Sequence, residues 1–391
     1  MDRRRYLSAL AATGASASLA GCSNPLSDGS TPERDPQNAV MDKLYTAIGE
    51  LNTAALALGT VSADIETPAD VEFDASGPRD RIETARTALD EAEDAASGSF
   101  ETELQQARTY ADVIAAMVDA FADLLTGARD LSTLESQFDP DAIGELRTML
   151  EASRDPLSSA VTAAENATSG LESAEASVLR DLDAAISRVS DAASTLVGFS
   201  QGLDGLSLGY LQLVDGVADI DTAQQRFTEE AYSESQTAFE NARTHFQNSQ
   251  STFQSGAEAA PEQLDERFSR ATDRSDSLNT LAGGYATMLG GMTDLQTGRQ
   301  QFENEEYEAA SESFAAAGAA FEDASATFDT EPAPAGEFDS RFETARCRSG
   351  HLVEAADTLS EAATAADNGN LIRARSKAEE GQQQVEAAKN C

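Results

Sequence analysis

Lysine is almost missing from this chain of 391 residues: Lys43, Lys377 and Lys389 are the only ones. With 27 basic residues against 69 acidic ones, the formal charge is −42, which repels phosphate and acidic headgroups and excludes nucleic acid as a partner. Long apolar runs are missing as well. The stretch from Ala9 to Ala20 is too brief to span a bilayer as a helix. No alternation of apolar and polar residues extends to a useful length, so a sheet is not expected. Apolar positions from Ala39 onward instead follow a three-to-four spacing, which predicts an all-α fold built as an array of long antiparallel helical hairpins. Signatures of chemistry are absent too. There is no nucleophile elbow, phosphate loop, dinucleotide glycine motif or calcium loop, because the glycines sit inside helices at heptad steps. His245 and His351 are the only two histidines, and neither reads as standing at ligand spacing from another His or Cys. The sequence therefore predicts no metal site, no cofactor and no catalytic residue, and a chain that is not an enzyme. The carboxylate pairs Glu229-Glu230, Glu305-Glu306 and Glu379-Glu380 fall at turns or on polar faces and read as solvated charge.

What is present begins with an address. Arg3-Arg4-Arg5-Tyr6-Leu7 forms a charged head before the short apolar stretch, and Leu19-Ala20-Gly21-Cys22 closes it. Two arginines, any residue and two apolar residues resemble the twin-arginine export signal, with Arg3 and Arg4 as the motif, and the closing four residues resemble a lipobox. The resemblance implies export of a folded protein, cleavage before Cys22, and attachment to the outer face of the cell membrane through lipid on Cys22. Residues 1–21 are then a signal peptide, and 22–38 the lipidated cysteine and a flexible tether rich in Ser, Pro, Asp and Asn. The scarcity of lysine beside abundant Asp and Glu also resembles the usage of haloarchaeal proteins. In molar salt the Debye length falls to about 3 Å and the self-repulsion of such a chain is largely screened. An apolar content of 40% and ordered periodicity separate it from an acidic disordered chain.

Breaks rich in Gly, Pro and polar residues fall at 66–78, 96–99, 139–140, 256–261, 329–336 and 367–370, dividing the chain into about ten helices. Residues 39–175 form an N-terminal helical region and 176–391 a set of repeats. Gly209-Tyr210, Phe227, Tyr232, Phe239, Phe246 and Phe253 return 75 residues later as Gly284-Tyr285, Phe302, Tyr307, Phe314, Phe321 and Phe328. After a slip of one residue, Leu264 and Phe268 match Phe338 and Phe342, which opens a third copy.

Within a copy the aromatics are seven apart and rows of Gly, Ala or Ser run beside them, as the two seam positions of a heptad do. Folding the chain back at Asn304 pairs Phe302 with Tyr307, Leu295 with Phe314, Met288 with Phe321 and Leu281 with Phe328, large against large. The same fold pairs Gly298 with Ala310, Gly291 with Ala317 and Gly284 with Ala324, small against small. The earlier copy repeats the register, with Phe227 against Tyr232, Ala223 against Ser235, Gly216 against Ala242 and Gly209 against Ser249. Each interior glycine costs a helix about 1 kcal/mol relative to alanine, so the row must be offset by close approach of the two helices and by burial of the rings beside it.

Gly298, Phe302, Tyr307, Ala310, Phe314 and Ala317 resemble the tetratricopeptide signature of small, aromatic and alanine positions. Looser matches are Ala223, Phe227, Tyr232, Ser235, Phe239 and Ala242, then Leu371, Ala374, Ala378 and Gly381. The resemblance covers residues 206–391 and implies protein or peptide binding on a helical face.

With Cys22 taken by lipid, Cys347 and Cys391 remain. The last hairpin turns near Asn368-Gly369, setting Leu352 against Val385, Leu359 against Ala378 and Ala366 against Leu371. Cys347 and Cys391 then lie level at its open end, where a disulfide is expected. Asn166-Ala167-Thr168 is a glycosylation sequon. The function these features suggest is a non-enzymatic surface lipoprotein whose hairpins bind an unidentified envelope or extracellular protein. A structural spacer of the envelope and a solute- or metal-binding helical bundle are the alternatives.

Overall fold

The computed structural model describes residues 36–65, 67–96, 98, 100–139, 142–332 and 336–391. Arg3, Arg4, Cys22 and the tether up to residue 35 lie outside the described residues. Eleven α-helices, joined by two short turns of 3-10 helix and with no strand among the described residues, make up the fold. They are α1 Pro36–Asp64, α2 Ser76–Ala95, α3 Glu101–Ser136, α4 Ile143–Ser173, α5 Ala176–Asp181, α6 Ile186–Thr228, α7 Tyr232–Ala259, α8 Asp265–Glu303, α9 Tyr307–Phe328, α10 Asp339–Asp367 and α11 Leu371–Lys389.

The helices pair as five hairpins, α1 with α2, α3 with α4, α6 with α7, α8 with α9 and α10 with α11. Successive hairpins also touch: α4 packs on α6, α7 on α8 and α9 on α10. The array is all-α, as the spacing predicts. Two predicted breaks shift. Gly77 and Pro78 belong to the first turn of α2, where proline is tolerated because its missing N–H has no helical partner there. Gly256 lies inside α7, and a Cβ on Gly205 of α6 would stand only 3.0 Å from its Cα, so here two backbones do meet. One break was not foreseen. The short α5 ends at Asp181, and the chain turns at Asp183 just beyond it, a left-handed residue with φ of 60° and no Gly or Pro beside it to signal the turn.

The hairpin register is direct to read. Phe227 meets Tyr232 with ring centroids 5.8 Å apart, and Phe302 meets Tyr307 at 5.4 Å. Ser235 Oγ donates to the Ala223 carbonyl at 2.7 Å, and Ser249 Oγ to the Gly209 carbonyl at 2.9 Å. In the next copy a Cβ on Gly291 would lie 3.1 Å from the Ala317 carbonyl oxygen. The packing differs from large-on-large in one respect: each glycine lies under an aromatic ring. A Cβ on Gly209, Gly216, Gly284, Gly291 or Gly298 would come within 2.2–2.7 Å of the ring of Phe253, Phe246, Phe328, Phe321 or Phe314 respectively. The space a side chain would take is filled by the ring. Gly127 of α3 uses the same device with an aliphatic residue, Leu157 of α4, at 2.5 Å.

Three of the hairpins turn in one way. Glu230, Glu305 and Gly369 hold φ of 61°, 64° and 76°. In each, the N–H of that residue bonds back to the carbonyl three earlier, and the next N–H to the carbonyl five earlier, as in Glu305 to Phe302 at 3.2 Å and Glu306 to Gln301 at 2.9 Å. This is the Schellman arrangement, which favours glycine at the left-handed position. Glutamate there carries a strain of roughly 1–2 kcal/mol. Glu305→Gly is therefore expected to raise stability by about 1 kcal/mol, and a thermal melt of the two proteins checks it.

Candidate functional site at the C-terminal hairpin

The tip of the last hairpin exposes apolar side chains. Leu371 and Ile372, the first two residues of α11, are 62% and 88% exposed, and among the described residues only Tyr45 and Leu56 join them as exposed large hydrophobics. The expected seam of Leu371 against Ala366 is thus not closed. In the two preceding hairpins a phenylalanine covers the first residue after the turn, whereas the methyl group of Ala366 is too small to do so. Ala365, Ala366 and Ala374 instead form a small buried cluster against Phe302 and Tyr307 of the neighbouring hairpin. Asn370 caps α11 by accepting from the Arg373 N–H at 3.2 Å. Beside the tip an open groove of about 480 Å³ runs along Asp357, Ser360, Glu361, Thr364, Asn370 and Arg373.

The opposite end of the same hairpin is closed by a disulfide from Cys347 on α10 to Cys391 beyond α11, with Cα atoms 6.0 Å apart. Reducing it opens a loop spanning 44 residues and is expected to cost about 4 kcal/mol on the chain-entropy argument, read from urea melts with and without a phosphine reductant. His351 does not stand apart from the cysteines as the sequence reading had it. One ligand atom each of Cys347, His351 and Cys391 lie within 4.8 Å of one another. The overlooked signal is the spacing of Cys347 and His351, one helical turn apart on α10. His351 Nδ1 also lies 2.9 Å from Gln384 Oε1. The other histidine, His245, has Nε2 3.6 Å from Asp219 Oδ2, and burial holds that carboxyl above its usual range.

A buried polar cluster escaped the sequence reading altogether. Arg274 on α8 is 2% exposed. Its guanidinium grips Glu337 with two bonds, at 2.7 and 2.6 Å, and donates to the Tyr210 hydroxyl at 2.9 Å. It also lies 4.7 Å from the centre of the Phe138 ring. Arg267, one heptad earlier, donates to Glu135 at 2.9 Å. These contacts fasten the end of α3, α6, α8 and the segment before α10 to one another. The next copy keeps part of the pattern: Tyr285 stacks on Phe239 at 5.0 Å and packs against Phe328 at 5.2 Å, with Arg348 near its hydroxyl. Burial pushes both tyrosine hydroxyls above their usual range.

No protein-family model, curated protein or solved structure matches the chain. Much of the remaining charge is paired on the surface. All three lysines sit in ion pairs, Lys43 with Glu91, Lys377 with Glu361 and Glu380, and Lys389 with Glu230 and Glu386. Glu229 and Glu379 likewise take Arg226 at 2.9 Å and Arg375 at 3.0 Å. Asn166 is exposed on α4. No helix among the described residues is long and apolar enough to cross a membrane.

Proposed function

We propose that the chain is a non-enzymatic interaction module of the cell envelope, held at the outer face of the membrane through lipid on Cys22. Its hairpins present the tip of α10 and α11 to a protein partner. The observation that carries this reading is the exposed pair Leu371 and Ile372 beside the groove of the last hairpin. Exposing two adjacent large aliphatic side chains forgoes roughly 1.5–3 kcal/mol of burial for each, which a contact with a partner would recover. The local likeness of residues 206–391 to tetratricopeptide units points the same way.

A spacer role draws its support from the unbroken succession of packed hairpins and from how few large apolar side chains are exposed elsewhere. The two readings separate in one experiment. The chain and a Leu371→Asp, Ile372→Asp variant are immobilised and offered detergent-solubilised envelope proteins in molar potassium chloride, with crosslinking. The interaction reading expects a protein that the native chain retains and the variant loses. Identical retention by both would favour the spacer.

A further inference from the structure

The cluster at the open end of the last hairpin contains more than a disulfide needs. Cys347 and His351 leave the same face of α10, and α11 returns Cys391 to that face, so that two sulfurs and an imidazole nitrogen converge within 4.8 Å. Cys347 is exposed, which gives both a reductant and an ion access. The oxygen of the Gln384 amide can only accept a hydrogen bond, so the neutral ring of His351 holds its proton on Nδ1 in this arrangement and offers the Nε2 lone pair to an ion. Ligating histidines are commonly oriented by such a bond on their second nitrogen.

We propose that the reduced hairpin binds a divalent ion of the zinc class through Cys347 Sγ, Cys391 Sγ and His351 Nε2, so that disulfide and metal are alternative closures of one staple. Opening it requires a small dithiol reductant. The dithiol gives up two electrons and two protons and ends as its own disulfide, while Cys347 and Cys391 are released as thiols. Each thiol then loses its proton as its sulfur takes the metal. Zinc bonds of about 2.3 Å to sulfur and about 2.0–2.1 Å to nitrogen place tetrahedral ligand atoms roughly 3.5 Å apart. Reaching that spacing requires the two bonded sulfurs to part, with all three ligand atoms already within 4.8 Å of one another. Two thiolates and one imidazole leave a fourth position for water.

The test uses the full chain, reduced with a phosphine, freed of excess reagent without air and titrated with Co²⁺ and then Zn²⁺. The reduced chain is expected to take one equivalent of Co²⁺ with thiolate-to-cobalt absorption that Zn²⁺ abolishes, and the oxidised chain to show none. Gln384→Ala should weaken zinc binding about 10- to 100-fold, and His351→Ala at least as much, with the oxidised variants keeping their disulfide by mass spectrometry. Should reduction fray the hairpin, Zn²⁺ restores the melting temperature of the native chain and not that of His351→Ala. A reduced chain without thiolate-to-cobalt absorption, or equal zinc affinity and equal thermal response in the native chain and His351→Ala, overturns the proposal.

Discussion

Replacing Arg274 by alanine is expected to destabilise the chain by about 3–5 kcal/mol, measured as the shift in its urea midpoint. The guanidinium is 2% exposed and serves three groups at once: the Glu337 carboxylate, the Tyr210 hydroxyl and the Phe138 ring. Removing it leaves a buried hydroxyl without its donor and a carboxylate without its counter-charge, while opening a cavity between α6 and α8. Surface pairs such as Arg79 with Asp119, both more than half exposed, should contribute within about 1 kcal/mol and fade in molar salt. The Arg274 loss should survive in molar salt, because a pair shielded from solvent is screened much less. Tyr210→Phe alone is expected to cost about 1 kcal/mol. Adding it to Arg274→Ala should cost less than the sum, since the two side chains share one bond.

The second large effect belongs to Gly291. Leucine at this position is expected to lower stability by about 3 kcal/mol or more, whereas leucine at the exposed Glu303 on the same helix should stay within about 0.5 kcal/mol. Helix propensity argues the other way, because leaving glycine gains roughly 1 kcal/mol at either a buried or an exposed site. Space decides. The first carbon of a side chain at Gly291 would already stand 2.7 Å from the Phe321 ring and 3.1 Å from the Ala317 carbonyl oxygen, closer than carbon atoms pack. The ring can swing only by displacing its own neighbours, and the carbonyl belongs to the backbone of α9. Matched thermal melts of the two leucine variants check this, and equal shifts would count against the register.

The hairpins were legible because the heptad rows of two copies repeat the same mirror about their turns. Ala223 with Ser235, Gly209 with Ser249 and Phe302 with Tyr307 could be paired from spacing alone and are paired in the structure. The rings covering the glycines were not legible, because spacing gives the level of a residue along a helix and not how far a side chain leans toward the next turn. The lean is set by side-chain direction, which places the Phe321 ring against Gly291. The exposed Leu371 was missed for a related reason: a register shows what lies opposite, and Ala366 lies opposite without being large enough to cover it. The Arg274 cluster draws its groups from widely separated segments, with Phe138, Tyr210 and Glu337 on different elements, so no local pattern announces it. The one trace in the sequence is that Arg267 and Arg274 recur as Arg341 and Arg348 at the offset of the third copy. Cys347 and His351 at helical spacing were equally visible, and only the return of α11 brings Cys391 to them.

At Gly209, Gly216, Gly284, Gly291 and Gly298 an aromatic ring occupies the place of the missing side chain. That placement is tested most directly by measuring the stability of Gly291→Ala in two backgrounds, the native chain and Phe321→Leu. With the ring present the added methyl should destabilise; with the ring gone it should be neutral or stabilise by up to about 1 kcal/mol, the intrinsic preference of a helix for alanine. The same shift in both backgrounds would mean that Phe321 does not lie over Gly291, and the hairpin register would be wrong.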